Sequence, residues 1–319
     1  MKKVRVAVIG VGYLGRFHAQ KYASLPACEL IGVVDSQAAT AEGVASELGV
    51  QAYTDYSALL GQVDAVSVAT PTTTHCDVAL AFLEAGAHVL VEKPITETIE
   101  QAERLIGVAQ RHRRLLQVGH LERFNPAILA AESRLSTPRF IECNRMAPFR
   151  ERGTEVNVVL DLMIHDIDLV QMIVGSPLAA LDAIGTPVFS SEIDIANARL
   201  RFESGCVANV TASRVSLKTE RKLRIFHDQG YLSIDLSQKL ITAIRKPEPM
   251  SPRPLNPQLA TGALPVQFEE ISCEPGDALL AEIEAFLAAV RGERAVMVTG
   301  EDGLQALKTA IAITERVRG

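Results

Sequence analysis

Apolar residues along the chain follow two regimes that change near residue 138. Upstream, short apolar runs alternate with longer stretches of helical period. VRVAVIG (4–10), ELIGVVD (29–35), DAVSVATP (64–71), AHVLVEKP (87–94) and LLQVGH (115–120) read as buried strands, with helices at 74–86 and 96–112 between them. Such alternation predicts a parallel sheet with helices on its faces and one ligand-binding edge at the strand ends. Downstream, strands dominate: RFIECNRMA (139–147), IANARLRF (195–202), CVANVTASRV (206–215), KLRIFHD (222–228), YLSIDL (231–236) and KLITAIRK (239–246). ANARLRF alternates apolar with polar, as a half-solvated sheet requires, and ESG at 203–205 suits a hairpin. Between them NVVLDLMIHDIDLVQMIVG (157–175) reads as a buried helix stopped by Gly175, and helical period returns at 277–292 and 301–317. The fold class expected is α/β in two domains, 1–121 and 122–319, the second a mixed domain closed by two helices.

With 319 residues, two domains are the better division, and 48% hydrophobic content is ample for their cores. A net charge of −6 with both signs interspersed argues against a nucleic-acid partner. The one basic run, RHRR (111–114), sits at a helix end, where cations complement the dipole. Five scattered cysteines without a CxxC pair suggest neither zinc nor a disulfide framework and fit a reducing cytoplasm. Arg5 interrupts the N-terminal apolar run, which is therefore not read as a signal peptide, and no apolar run reaches the ~20 residues of a membrane span. Residues 247–265, with six prolines, read as a long loop.

Chemistry enters at the strand ends. GVGYLG (10–15, with Tyr13 and Leu14 inside it) has the GxGxxG spacing between a strand and a helix: Gly10 for the tight turn, Gly12 for backbone approach to a pyrophosphate, Gly15 for close packing. Asp35 ends the next strand, where a carboxylate accepts both ribose hydroxyls and repels a 2′-phosphate; the competing reading is a helix cap. NAD is therefore expected over NADP, with Ser36 softening the discrimination. Thr70, Pro71, His75, Glu92, Lys93 and His120 fall at the same edge and are expected to line the cofactor. Lys93, restricted by Pro94, is placed to polarise a substrate hydroxyl or move its proton.

In DLMIHDIDLV (161–170), three aspartates and a histidine sit among apolar residues. At ~100° per residue Asn157, Asp161, His165 and Asp168 share an arc of roughly 80°, with Asp166 opposite. Burial of such groups requires partners, a polar cleft or a ligand. A polar seam, a metal site and an Asp161–His165 proton-handling dyad compete. The upstream dinucleotide signature favours the dyad, with no metal, and leaves the seam to Asp166 and Asp168.

GVGYLG, VVD, ATPTTTH and EKP in this order, followed by DLMIH, resemble the glucose-fructose oxidoreductase/inositol dehydrogenase/MocA (Gfo/Idh/MocA) family of NAD(P)-dependent enzymes across essentially the whole chain. The resemblance implies a Rossmann domain followed by an α/β domain on a large open, mainly antiparallel sheet, assembled through that sheet as a homodimer or homotetramer. It places the family's catalytic residues on Lys93, Asp161 and His165.

For substrate, GHLERFNPA (119–127) is informative: Asn125 reads as an N-cap before Pro126, which puts Arg123 and Phe124 in a short linker. Cyclitol dehydrogenases of the family differ here, where this chain has His120, Glu122 and Asn125. The stretch instead resembles the branch that oxidises the 3-hydroxyl of UDP-N-acetylglucosamine or related UDP-sugars. Arg145, Arg150 and Arg152 before the 157–175 helix, with Arg214, Lys218 and Arg221, are candidate cations for a diphosphate. The expected substrate contacts are Lys93, Arg123, Phe124, Asn125, Arg145, Arg150, Arg152, Asn157, Asp161 and His165. The alternatives are a free sugar or cyclitol dehydrogenase and a dinucleotide-sensing regulator without turnover.

Overall fold

The continuous apolar runs of the first 120 residues become strands buried on both faces. The computed structural model describes residues 3–135, 137–150, 154–246 and 266–319. Loop 247–265 and Arg152 therefore lie outside the described residues. The chain divides into two units, Met1–Leu121 with Asp277–Lys308, and Glu122–Gly276 with Thr309–Gly319.

In the first unit the elements run β1 (Val4–Ile9), α1 (Tyr13–Ser24), β2 (Cys28–Val34), α2 (Ala38–Leu48), β3 (Gln51–Tyr53), β4 (Ala65–Val68), α3 (Thr72–Glu84), β5 (His88–Glu92), α4 (Ile99–His112) and β6 (Leu116–Gly119). The strands form a parallel sheet in the order β3-β2-β1-β4-β5-β6. That order reverses direction beside β1, the arrangement in which ligands bind at the strands' C-terminal ends. Thr98 caps α4 in a capping box with Gln101, and Arg113 ends it in the left-handed region.

The second unit contains α5 (Pro126–Ala131), β7 (Phe140–Met146), α6 (Ile164–Val174), β8 (Leu178–Thr186), β9 (Ile195–Phe202), β10 (Val207–Ser213), β11 (Glu220–His227), β12 (Gly230–Asp235), β13 (Leu240–Arg245) and β14 (Gln267–Ser272). Their sheet runs β14-β13-β12-β11-β7-β10-β9-β8. Only the β7–β10 pairing is parallel. One face is buried by Ile141, Ala198, Leu200, Val210 and Ile225, with α6 packed against β7 and β10. The other carries Asn197, Arg199, Thr211 and the exposed Ile184, so the alternation in ANARLRF is the two faces of one open sheet. Gly205, with φ +83°, turns the chain from β9 into β10, as ESG predicts.

The last two helices depart from the expected boundary. α7 (Ala278–Val290) belongs to the first unit, where Ile283, Phe286 and Leu287 join Val4, Val6, Leu30 and Tyr22 in one core. α8 (Gly300–Arg318) is divided at Lys308. At its start, Cβ atoms at Gly300 and Gly303 would come within 2.8 Å of Ile106 and 2.6 Å of Val118, so glycines let it lie directly on β6 and α4. A sequence pattern identifies an amphipathic helix without saying which sheet it covers.

Candidate active site

The strand ends β1, β2, β4, β5 and β6 bring the glycine loop, Asp35, Ser36, Thr70, Pro71, Glu92, Lys93 and His120 to one edge of the parallel sheet. Gly10 has φ +82°, and a Cβ there would meet the Ala69 carbonyl and the Thr70 amide at 2.8 Å. A Cβ at Gly15 would fall 1.8 Å from the Gly10 carbonyl, so helix α1 can start only over glycine. Gly12 differs: a Cβ there would meet nothing within 4 Å. It is the N-cap of α1 and offers no side chain to the first-turn amides, leaving the positive helix end open to an anion. Asp35 accepts the Val11 amide on Oδ2 (3.0 Å) and the Gln37 amide on Oδ1 (3.0 Å). The cap of α2 is Gln37, not Asp35. Two backbone N–H groups thus orient the carboxylate, and each oxygen keeps a lone pair for a ribose hydroxyl. Exposed Ser36 follows it. This edge fits a nicotinamide dinucleotide.

Two histidines at this edge are buried, and a glutamate turns inward. His75 is 1% exposed, and its ring nitrogens face the Pro94 carbonyl (2.9 Å) and the Thr70 carbonyl (2.8 Å). Burial lowers its pKa despite those carbonyls and the Glu92 charge. Its ring lies between the Thr70 loop and the Lys93–Pro94 corner, and as a neutral imidazole it donates to one of the two carbonyls. His120 is likewise buried at 1%. Glu92 turns its carboxylate onto His18 Nε2 (2.9 Å) and accepts the Lys93 amide (3.3 Å). Burial opposes its charge, while the hydrogen bond to His18 and the charge and amide of Lys93 lower its pKa. Lys93 itself is half-buried, and its peptide bond to Pro94 is cis.

In the second unit the 157–175 segment begins as a π turn, Val159–Met163, before α6. Asn157, 5% exposed, starts it by accepting the Val159 and Leu160 amides (both 3.0 Å). Gly175 ends α6 in the left-handed region. The wide turn breaks the uniform ~100° spacing on which the four-residue stripe rested. Asp161 and His165 stay half-buried, whereas Met163, Ile164, Asp166 and Asp168 are buried.

Asp166 and Asp168 are held in ion pairs. Arg123 donates to both oxygens of Asp168 (2.8 and 2.6 Å), and Arg145 to both of Asp166 (2.8 and 2.9 Å) and to Glu122 (2.8 Å). Arg214 is tied to Asp194 (2.7 Å), whose carboxylate also accepts the amides of Val188, Phe189 and Ser190. Burial and the Arg145 charge compete at Asp166, and burial raises its pKa. At Glu122 the arginines prevail over burial and lower it. Asn125 caps α5 and donates to Glu122 (3.0 Å) and the Leu236 carbonyl (3.1 Å); Phe124 is 2% exposed. Arg123, Phe124, Asn125, Arg145 and Asn157, expected as substrate contacts, are thus each buried, and all but Phe124 are held by hydrogen bonds within the second unit. Arg150 and Lys218 remain exposed, and Arg221 is 48% exposed beside Glu122.

Sequence reasoning did not single out His18, Tyr22, Ser67 or Glu282, all buried and polar. The available signal was spacing: His18 and Tyr22 lie three and seven residues after Gly15, on the face that must pack on the sheet.

A dinucleotide edge with an adjacent lysine, and an acid–histidine helix on an open-sheet domain, define a nicotinamide-dependent oxidoreductase of two-domain α/β build. Residues 4–120 match the family profile described as "Oxidoreductase family, NAD-binding Rossmann fold", and residues 144–319 match "Oxidoreductase family, C-terminal alpha/beta domain". The chain belongs to the Gfo/Idh/MocA oxidoreductase family, and its first domain is an NAD-binding one. It is 39% identical to UDP-N-acetylglucosamine 3-dehydrogenase of Acidithiobacillus ferrooxidans over 98% of this chain and 97% of that protein. A crystal structure of the Acidithiobacillus ferrooxidans enzyme superposes with a TM-score of 0.92, covering 99% of this chain and 98% of that one. Scyllo-inositol 2-dehydrogenase (NAD(+)) of Bacillus subtilis is 27% identical over 99% of this chain and 94% of its own.

Proposed function

We propose that this enzyme oxidises the 3-hydroxyl of UDP-N-acetylglucosamine, or of a closely related UDP-sugar, to the 3-keto sugar. The observation that carries the reading is whole-chain similarity at 39% identity to an enzyme of that name. NAD, when bound, supplies the hydride acceptor. The open helix end at Gly12 takes its pyrophosphate and the oriented Asp35 its adenosine ribose. Ser36, Thr70 and Pro71 line the same edge.

The chain's own work is to hold the alcohol and remove one proton. His165 is the base that accepts the hydroxyl proton, Asp161 orients the imidazole and balances its charge, and Lys93 donates to the same oxygen. The pH profiles of Lys93 and His165 variants test this division of roles against the exchanged one, with Lys93 as base. Among the described residues Arg150, Lys218 and Arg221 are exposed cations available to a diphosphate. The open sheet face of the second unit, with its Phe140, Phe226 and Tyr231 rings in succession, is the surface for assembly into a homodimer or homotetramer. A cytoplasmic setting accords with the free cysteines, and among the described residues no helix is long and apolar enough to cross a membrane.

Incubation with NAD and a panel of UDP-sugars tests the substrate. Nicotinamide reduction together with loss of a hydrogen pair from UDP-N-acetylglucosamine is expected; oxidation of free cyclitols alone would overturn the assignment. NAD binding without turnover on any sugar would point to a sensor instead.

A further inference from the structure

Behind Lys93 the first unit contains a line of buried polar side chains drawn from three elements. The Tyr22 hydroxyl of α1 lies 2.9 Å from Ser67 Oγ of β4, Ser67 Oγ lies 3.2 Å from His18 Nδ1, and His18 Nε2 lies 2.9 Å from Glu92 Oε1 at the end of β5. Tyr22, Ser67 and His18 are at most 1% exposed, so each proton needs an acceptor within the line. Burial pushes the Tyr22 hydroxyl up and keeps it protonated.

Ser67 is the partner available to the Tyr22 proton, so Tyr22 donates to it. The serine proton can then go only to His18 Nδ1, which must be a lone pair. His18 therefore carries its single proton on Nε2 and donates it to Glu92. One direction satisfies every group: Tyr22 to Ser67, Ser67 to His18, His18 to Glu92. An imidazolium would leave the buried serine proton without an acceptor. The far oxygen of Glu92 accepts the Lys93 amide at 3.3 Å. Beside it, a Cβ on Gly119 would stand 3.1 Å from the carboxylate, so a side chain at that position of β6 would press on the group.

We propose that His18 is a positioning residue for Lys93: as the neutral Nε2–H tautomer it ends a directed hydrogen-bond chain that pins the Glu92 carboxylate under the Lys93 amide. The proposal rests on the reading of Lys93 as catalytic. Other groups that feel the Glu92 charge are His75 of α3, whose side chain holds the Pro94 carbonyl, and Glu282 of α7. Burial and the Glu92 charge both raise Glu282, which stays protonated, so the chain ends on a single carboxylate rather than two. His75 and His18 thereby grip the Glu92–Lys93–Pro94 corner from opposite sides in sequence.

Selective ¹⁵N-histidine labelling of the intact protein, with His18→Gln used to assign the signal, should show a neutral His18 protonated on Nε2 around neutral pH. His18→Leu keeps an apolar body of similar size but cuts the chain. It should lower kcat by about 10- to 100-fold, leave the KM for NAD within roughly threefold, and displace the limb of the pH profile that depends on Lys93. His18→Gln retains a donor toward Glu92 and should recover most of the loss. A charged or Nδ1-protonated His18, or a His18→Leu enzyme with unchanged kcat and pH profile, overturns the proposal. So does a loss confined to melting temperature. Lys93→Met separates the parent reading: full turnover in that variant removes the lysine's role, whereas an inactive Lys93→Met beside an unaffected His18→Leu removes only the positioning role.

Discussion

Arg145 and Asp166 form a two-point pair inside the second unit, with Arg145 Nε donating to one carboxylate oxygen at 2.8 Å and a terminal nitrogen to the other at 2.9 Å. The remaining terminal nitrogen donates to Glu122 at 2.8 Å, and the side chains of all three residues are at most 9% exposed. An arginine so enclosed serves the fold. Arg145→Met or Asp166→Asn, leaving a buried charge without its partner, should each cost about 3–5 kcal/mol, read as a lower denaturant midpoint. If instead Arg145 met the substrate diphosphate, Arg145→Met would raise the KM for the UDP-sugar and leave the midpoint in place.

That pair also marks where the sequence stops being legible. The glycine loop and Asp35 could be read because their geometry is local: Gly10 and Gly15 meet across one turn, with Gly12 between them. Strands with clear alternation, such as Ile195–Phe202, were equally open to reading. The three-residue β3 was too short for a pattern, and Leu178–Thr186 and Gln267–Ser272 lack a clean one. Arginines near the 157–175 helix were read as anion binders because their charge is visible in sequence and their partners are not. Asp166 is 21 positions from Arg145, and Asp194 is 20 from Arg214. The π turn was hidden for a related reason, since apolar spacing cannot distinguish a wide turn from an α-helical one over five residues.

Cofactor choice should follow Asp35. Its two oxygens are fixed by the Val11 and Gln37 amides, so the carboxylate cannot swing away from a 2′-phosphate. Asp35→Ser removes both the ribose acceptor and the repulsion. The KM for NAD should rise about tenfold, as expected for loss of charge-assisted hydrogen bonds, and the ratio of kcat/KM for NADP over NAD should increase. Steady-state kinetics with both nucleotides decides it; an unchanged ratio would remove Asp35 from cofactor recognition.

The proton-handling assignment makes a pattern rather than a single loss. His165→Ala and Lys93→Met should each reduce kcat by about 10²- to 10⁴-fold, with the KM for NAD little changed. Asp161→Asn should lose less. Because Asp161 acts through His165, the double variant Asp161→Asn/His165→Ala should be no slower than His165→Ala alone. Additive losses in single-turnover hydride transfer would show that the two side chains act independently.

Glu282 offers a test of stability against pH that leaves the reaction aside. Its side chain is 0% exposed, and neither carboxylate oxygen has a hydrogen-bond partner among the described residues. Burial, followed by the Glu92 charge, holds its pKa well above the ordinary carboxyl range. A carboxyl that binds its proton more tightly in the folded state than in the unfolded one takes up protons on folding. Its contribution to stability is full below the unfolded pKa and is lost as pH rises toward the folded one. Glu282→Gln is a neutral group of the same shape and carries no such dependence. Variant and parent should melt at similar temperatures near pH 4. The variant should then gain steadily as pH increases, reaching roughly 3–6 °C at pH 8. Parallel melting curves across that range would show that Glu282 is ionised in the fold, and Glu92 would then share its burial with a second negative charge.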